Sequence, residues 1–258
     1  MFLMEWKFTP KEGLGNESGR GDGRLSWFIT LCTLSGQVLG DVESSGDDPY
    51  TFFVHTADED ALDGKSDLYF TARERAEVEK YFDVSYRVLD AGEGGCRCEK
   101  RTGVEMWTGK YTLESPFVCL SCGKRIPLYR LPTFENGSFD DTKAWQESFR
   151  AMLSLNDTVY YDAFTSEELM SHTSKLNVRG REIAKTLQES LGVPVYYRLH
   201  EIDETEKFQP REWVDGANVR ICPACNKVMR RLPIADDETI EVCDGCGYSS
   251  AEETEEIW

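Results

Sequence analysis

Four cysteines late in the chain constrain it more than any other feature. Cys222-Pro-Ala-Cys225 and Cys243-Asp-Gly-Cys246 stand 17 residues apart, the spacing C-x2-C-x17-C-x2-C. A C-x2-C turn aims two sulfurs at one point. Two such turns on adjacent hairpins complete a tetrahedron around Zn2+, with Zn–S near ~2.3 Å. Asn226 follows the first turn and Gly247 the second; these residue types tolerate the left-handed backbone a knuckle needs. Iron in a rubredoxin-like site uses the same thiolates and stays as the alternative metal.

A second set lies earlier. Cys96-Arg-Cys98 is followed after 20 residues by Cys119-Leu-Ser-Cys122-Gly123. The first pair is C-x-C, so the pattern is less regular. A hairpin over Val104–Leu113, turning at Thr108-Gly109, would bring the second pair back to face the first. A second four-thiolate zinc site is the better reading, and a redox-active C-x-x-C pair is the alternative. Eight of the nine cysteines are thereby used as two ligand sets, Cys96, Cys98, Cys119, Cys122 and Cys222, Cys225, Cys243, Cys246. Both sets are closed, with no protein-free coordination position, so they predict structural rather than catalytic metal. The ninth, Cys32, falls in line with Leu25, Phe28 and Ile29 at helical spacing and reads as a core thiol.

Thiols grouped by spacing fit a reducing compartment, and neither a basic, apolar leader nor a run of 18 apolar residues is present. The expectation is a cytoplasmic protein without a membrane span. Hydrophobic residues make up 40% of the 258, enough to build a core.

Charge narrows the partners. The formal net charge is -18, which disfavours a general polyanion binder. Residues 1–92 hold 18 acids and 9 bases, residues 93–235 hold 20 of each, and residues 236–258 hold 9 acids and no base. Within the balanced middle, Lys124, Arg125 and Arg130, then Arg179 and Arg181, then Lys227, Arg230 and Arg231 form local basic groups. These are candidate contacts to an anion or partner, beside the plainer reading of solvated surface. Tyr129, Tyr196 and Tyr197 are candidates to stack on bases, with core packing the stronger expectation for the last two.

The fold expected is α+β. Strands at Met4–Thr9, Gln37–Asp41, Tyr50–Thr56 and Val84–Leu89 alternate with a helix through Leu25–Cys32, where β-branched and aromatic content leaves a strand as the alternative, and a helix over Thr71–Phe82. Thr71 with Glu74 forms a capping box, and Ala72, Ala76, Val78 and Phe82 supply the apolar face. Lys11–Arg24 reads as a loop. The order β-α-β-β-α-β predicts a ferredoxin-like domain over residues 1–92. Residues 93–250 form a helical and hairpin region with two zinc ribbons, and 251–258 an acidic tail. Helices are expected around Trp145–Leu153 and over Val178–Leu191, the second ended by Gly192, with a strand at Val193–Leu199. The Ser171–Asn177 segment is an N-capping turn or, alternatively, an anion-facing helix start.

No nucleotide, nucleophile-elbow or metalloprotease motif occurs, and His55, His172 and His200 lack partners at diagnostic spacing. No catalytic residue and no small-molecule substrate is assigned. Taken together, the chain resembles a bacterial family of zinc-ribbon-containing proteins of unknown function for which nucleic-acid binding is a suggested role. The resemblance rests on Gly36-Gln37, Cys96-x-Cys98, Pro116-Phe-Val-Cys119 through Pro132, Trp145, Leu176-Asn177-x-x-Gly180-Arg181, Gly192-Val-Pro194 through Tyr197, and the closing C-x-x-C pairs. It implies an N-terminal α/β domain, zinc ribbons and no established activity. The chain departs from the family at Asn226-Lys-Val-Met and in its acidic tail. Paired C-x-x-C-G modules are more distantly similar to those of some bacterial toxin-immunity proteins.

Three functions follow as expectations. The first is a non-catalytic zinc-ribbon protein that binds a macromolecule, nucleic acid included. The second is an acidic adaptor or immunity-type inhibitor of a basic protein. The third, weakest, is a redox or metalloenzyme.

Overall fold

Met4, Trp6 and Phe8 alternate along one short segment, and all three are fully buried. That period of two makes β1 (Phe2–Pro10) the central strand of the first half of the chain. A computed structural model describes residues 1–12, 18–47, 49–134, 138–158, 162–200, 211–214, 217–235 and 238–251. The fold is mixed α+β. The chain divides into two compact units, one of residues 1–95, 113–115 and 126–139, the other of 96–112, 116–125 and 140–258.

The first unit runs β1, α1 (Ser18–Leu34), β2 (Val38–Asp47), β3 (Tyr50–Thr56), α2 (Tyr69–Val78) and β4 (Phe82–Asp90). Its sheet order is β2-β3-β1-β4, with every neighbouring pair antiparallel. Leu25, Phe28, Ile29 and Cys32 do share a helix face and pack on Met4, Trp6 and Phe8. Phe28 meets Trp6 edge-on at 5.4 Å between centroids, and Phe8 meets Phe52 and Phe82 in the same way.

Two local expectations fail for tertiary reasons. The helix α1 starts at Ser18, inside the glycine-rich stretch expected to be loop; residues 13–17 of that stretch lie outside the described residues. Gly21 sits where a Cβ would lie 3.1 Å from the Phe82 ring. Asp22 accepts from the Tyr50 hydroxyl at 2.8 Å, and Arg24 pairs with Glu74 at 3.0 Å. Small residues here permit close packing rather than turning. The Thr71 capping box also does not form. Leu68 is the N-cap without a side-chain bond, and Thr71 Oγ1 donates to the Leu68 carbonyl from within the first turn. Glu74 is taken by Arg24. Thr71 and Val78 face inward, Ala72 and Ala76 face outward, and Phe82 belongs to β4.

Several buried polar groups in this unit are paired, although the Trp6 indole N–H is buried without a partner. Gln37 is fully buried and donates to the Ala61 carbonyl at 2.9 Å and to Asp67 at 2.7 Å. Arg75 closes on the same Asp67 at 2.5 and 3.2 Å. Asp58, also fully buried, accepts from the Tyr129 hydroxyl, the Arg130 guanidinium and the Gly95 amide, each at 2.9 Å. That carboxylate ties residues 126–139 and the last glycine before Cys96 into the unit. Removing one partner of such a buried group leaves an unpaired charge, which is costly.

The second unit holds α3 (Asp140–Asn156), α4 (Asp162–Met170) and α5 (Lys175–Leu191). Its strands are β5 (Val104–Met106), β6 (Phe117–Cys119), β7 (Val195–Arg198), β8 (Arg211–Val214), β9 (Ala217–Arg220), β10 (Arg230–Pro233), β11 (Thr239–Cys243) and β12 (Tyr248–Ala251). Six form one sheet, ordered β10-β11-β12-β7-β5-β6, and β8 pairs with β9. The hairpin expected over Val104–Leu113 is wider than the sequence suggests. Its arms are β5 and β6, with Val104 opposite Cys119, and it does return the chain toward the first cysteine pair.

The Leu176-Asn177-x-x-Gly180 motif has a packing role. Ser174 caps α5 by accepting from Asn177 N–H at 3.1 Å. The buried Asn177 amide donates to the carbonyls of Glu168, Leu169 and Ser171, which end α4, and its oxygen accepts from Tyr197 at 2.7 Å. Gly192 ends α5 at φ 67°. At Gly180 a Cβ would lie 2.2 Å from the Tyr197 ring and 2.7 Å from Trp145 Nε1. The substitution Gly180→Ala is therefore expected to destabilise the second unit by about 1–3 kcal/mol or more through overpacking. Chemical denaturation monitored by tryptophan fluorescence checks this; an unchanged midpoint would show that Tyr197 has room to move.

Candidate metal centres

Three of the four cysteine pairs share one backbone design. In Cys119–Cys122 the Gly123 N–H donates to the Cys119 carbonyl at 2.8 Å, and Cys119 N–H donates to Lys124 at 2.9 Å. Cys222–Cys225 repeats it through Asn226 and Lys227, each at 2.9 Å. In Cys243–Cys246 the Gly247 N–H bonds Cys243 at 2.8 Å, while Cys243 pairs with Tyr248 in the sheet. The residue closing each turn has positive φ: 69° at Gly123, 56° at Asn226 and 69° at Gly247. Asn226 is the one non-glycine with positive φ among the described residues. The fourth pair, Cys96-x-Cys98, is held differently. Cys96 N–H donates to the Arg125 carbonyl at 2.7 Å, which docks it beside the exit of the Cys119 knuckle.

These turns assemble two sulfur clusters. The Sγ atoms of Cys96, Cys98, Cys119 and Cys122 all lie within 4.8 Å of one another, and so do those of Cys222, Cys225, Cys243 and Cys246. A tetrahedral site of four sulfurs with ~2.3 Å bonds to zinc sets those sulfurs about 3.8 Å apart, and Cys225 and Cys243 are 3.6 Å apart. All eight cysteines are free of disulfides. In each cluster the first cysteine of each pair is buried and the second half-buried. Spacing, softness of the donors and closure fit a divalent ion at each site.

The thiols influence one another. The Lys227 backbone N–H, with help from neighbouring thiols, pulls Cys225 down to about 7. Burial pushes Cys246 up to about 12 and raises Cys222 and Cys122 as well. A bound cation replaces protons that such a cluster otherwise keeps. Cys32 stays apart from both, in the core of the first unit, with burial raising its thiol far above the ordinary range.

Several charges of the second unit are paired. Glu105 is buried on β5; Arg198 of β7 closes on it at 2.9 and 2.5 Å, and Ser249 of β12 donates to it at 2.7 Å. Trp107 has the guanidinium groups of both Arg125 and Arg198 at 4.6 Å from its ring. Arg220 and Glu241 form a fully buried pair at 2.9 Å in the second ribbon. None of these pairs is evident in the sequence, because Glu105 lies 93 residues from Arg198 and 144 from Ser249.

The candidate basic contacts are largely engaged within the chain. Arg130 meets Asp58 and Asp60; Arg179 meets Asp141 and Glu182. Arg230 chelates Asp244 at 3.0 Å twice, and Arg231 lies 3.8 Å from Glu241. Arg230 and Tyr196 together hold the Asp244 carboxyl below its ordinary range. Arg125 donates to the Trp107 carbonyl, and Arg181 covers the Tyr248 ring while donating to its hydroxyl. Lys124 and Lys227 are exposed. Tyr129, Tyr196 and Tyr197 are buried, with hydroxyls given to Asp58, Asp244 and Asn177. No face of these three is open to a base. His55 lies on β3 opposite Leu3 and Leu39, His172 meets the Tyr248 ring and His200 the Phe149 ring, each edge-on. Of the acidic tail expected over 251–258, Ala251 instead ends β12, and residues 252–258 lie outside the described residues. Among the described residues, no helix is long and apolar enough to cross a membrane.

Comparison with known proteins adds a family likeness. Residues 99–200 resemble the domain of unknown function DUF2310. The DUF2310-like span carries Cys119 and Cys122 and stops short of the second cluster. Two proteins of Haemophilus influenzae, each described as uncharacterised, are similar to the chain. One is 26% identical over 261 residues, covering 95% of this chain and 96% of its own length. The other is 26% identical over 123 residues, covering 47% of this chain; the chain spans 57% of that relative. No solved structure matches.

Because the ligands must be thiolates, metal affinity at both clusters is expected to fall as pH drops through and below 7, where protons reclaim Cys225 and its neighbours. Competition with a chromophoric chelator between pH 8 and about 5.5 measures it. Affinity independent of pH would exclude thiolate ligation.

Proposed function

We propose that this is a non-catalytic protein with two structural zinc ions, each held by four cysteines, which engages a protein partner through its acidic surface. The observation that carries the metal assignment is the closure of both clusters, four mutually close sulfurs each with no oxygen or imidazole among them. A closed thiolate site stabilises a ribbon and gives little access to substrate. Strands of three to five residues, as in β5, β6, β7 and β11, have little hydrophobic support of their own. Zinc supplies the missing cross-link. In the first unit, the element order and the antiparallel order β2-β3-β1-β4 support the ferredoxin-like, split βαβ reading.

For the partner, a basic protein is favoured over nucleic acid. Four of the eight candidate bases already face carboxylates of the chain, and the three candidate stacking tyrosines are buried. Residues 1–92 carry a twofold excess of acids, which speeds and selects association with a positive surface. The thiol-rich ribbons suit a reducing compartment such as the cytoplasm.

Elemental analysis of the purified full chain is expected to find two zinc ions per chain, falling to one in Cys243→Ser. An iron content with the colour of an iron–tetrathiolate centre would reassign the metal. Titration against DNA and RNA oligonucleotides should show no binding at physiological salt. A gel shift that weakens steeply with salt would replace the protein-partner reading with a nucleic-acid one.

A further inference from the structure

We infer that β4 is the interface through which two copies of this chain pair, edge to edge, into a dimer with a continuous sheet. The strand lies at one end of the order β2-β3-β1-β4, so among the described residues only β1 pairs with it. From Ser85 to Asp90 every residue of β4 is exposed. The N–H of Lys11 donates to the Tyr81 carbonyl at 2.9 Å, in step with the β1–β4 register. By the alternation of an antiparallel ladder, Asp83, Ser85 and Arg87 then direct their backbone groups at β1. Phe82, Val84, Tyr86 and Val88 direct theirs outward.

The side chains repeat this unfinished state. Tyr86 sits opposite Trp6, and Val88 opposite Met4, both fully buried. The core face therefore continues onto β4, yet Tyr86 and Val88 are each 40% exposed there. Natural edges are usually blunted by lysine, proline or a bulge. Between Phe82 and Val88 β4 has none of these; the register slips only at Leu89, past the end of that stretch.

What covers the edge is indicated by the strand's own sequence, Phe82-Asp-Val-Ser-Tyr-Arg-Val88. Laid antiparallel against itself with Ser85 on the two-fold axis, it complements itself at every position. Asp83 meets Arg87 of the second copy, Val84 meets Tyr86, and Phe82 meets Val88, each pair occurring twice. The outward backbone groups of Phe82, Val84, Tyr86 and Val88 then bond those of Val88, Tyr86, Val84 and Phe82. The Asp83 and Arg87 side chains are 76% and 67% exposed; Arg87 bonds Glu5 at 2.6 Å and Asp83 lies 3.6 Å from Lys11, so across the axis the Asp83–Arg87 pairs would extend these existing ion pairs. Centring on Tyr86 instead opposes Asp83 to Leu89 and leaves Arg87 facing Ser85, and centring on Arg87 opposes two like charges. One register thus satisfies charge, apolar rows and hydrogen bonds together. Such a contact is isologous and closes at two copies, so it removes the exposed edge without building a filament.

Light scattering of the full, zinc-loaded chain over a range of concentrations tests this. The wild type is expected at twice the mass of one chain. Ser85→Glu places two carboxylates side by side at the axis and is expected to abolish the dimer. Within one chain residue 85 lies opposite Lys7, so that variant keeps its fold, which far-UV circular dichroism verifies. Ser85→Cys is expected to form a disulfide-linked dimer under mild oxidation, while Glu189→Cys, on the exposed face of α5 in the other unit, does not. A wild type that stays monomeric at its highest soluble concentration overturns the inference. So does a dimer that Ser85→Glu leaves intact, because it must use another surface.

Discussion

Strand β7 is four residues long, and both sulfur clusters depend on it. The β5–β6 hairpin, which ends on Cys119, lies parallel to one of its edges through Val104, Glu105 and Met106. The β12 strand, which leaves the Cys243–Cys246 knuckle, lies parallel to the other through Tyr248 and Ser249. Backbone bonds run from the knuckle into the strand itself, since Tyr197 N–H donates to Gly247 at 2.8 Å. Two ribbons that would each be small and marginal alone share one sheet. The helices in turn rest on β7 through Tyr197, which is fully buried, bonded to Asn177 of α5 and edge-on to Trp145 of α3.

Electrostatics in the second unit serve the same joint. Glu105, Arg198 and Ser249 come from β5, β7 and β12, so one carboxylate links three strands of the sheet. A buried ion pair adds little net stability over apolar packing, but a mismatched register would strand its charges, so the pair selects one arrangement. Trp107 and its two guanidinium neighbours extend that selection to Arg125, whose carbonyl anchors Cys96. The clustered cysteines are thus positioned by a network of ordinary residues rather than by their own turns alone.

How much of this was legible depended on distance along the chain. Local chemistry was plain: Ser174 before α5, Gly192 after it, and the left-handed residues Asn226 and Gly247 after their knuckles. The spacing of Leu25, Phe28, Ile29 and Cys32 favoured a helix over a strand, and those residues are buried together on α1. Thr71 and Glu74 misled because a capping box is a local pattern that a distant partner can override. Arg24, fifty residues away, claims the glutamate. The glycines before Arg24 misled for a related reason, since the value of Gly21 lies in contact with Phe82 rather than in flexibility. Of the basic groups, Arg130, Arg179, Arg230 and Arg231 face acids that only the fold brings alongside.

By itself the sequence determined which cysteines gather into two four-sulfur clusters, because a C-x2-C knuckle is a short-range geometry. It also determined that acid outweighs base, and where along the chain the excess lies. Only the tertiary structure decided that the two clusters share one sheet, that the arginines and tyrosines are already engaged, and that β4 is left at an edge. Each of those depends on contacts between residues far apart in the chain, and strand order is set by how distant faces bury one another, which no local spacing records.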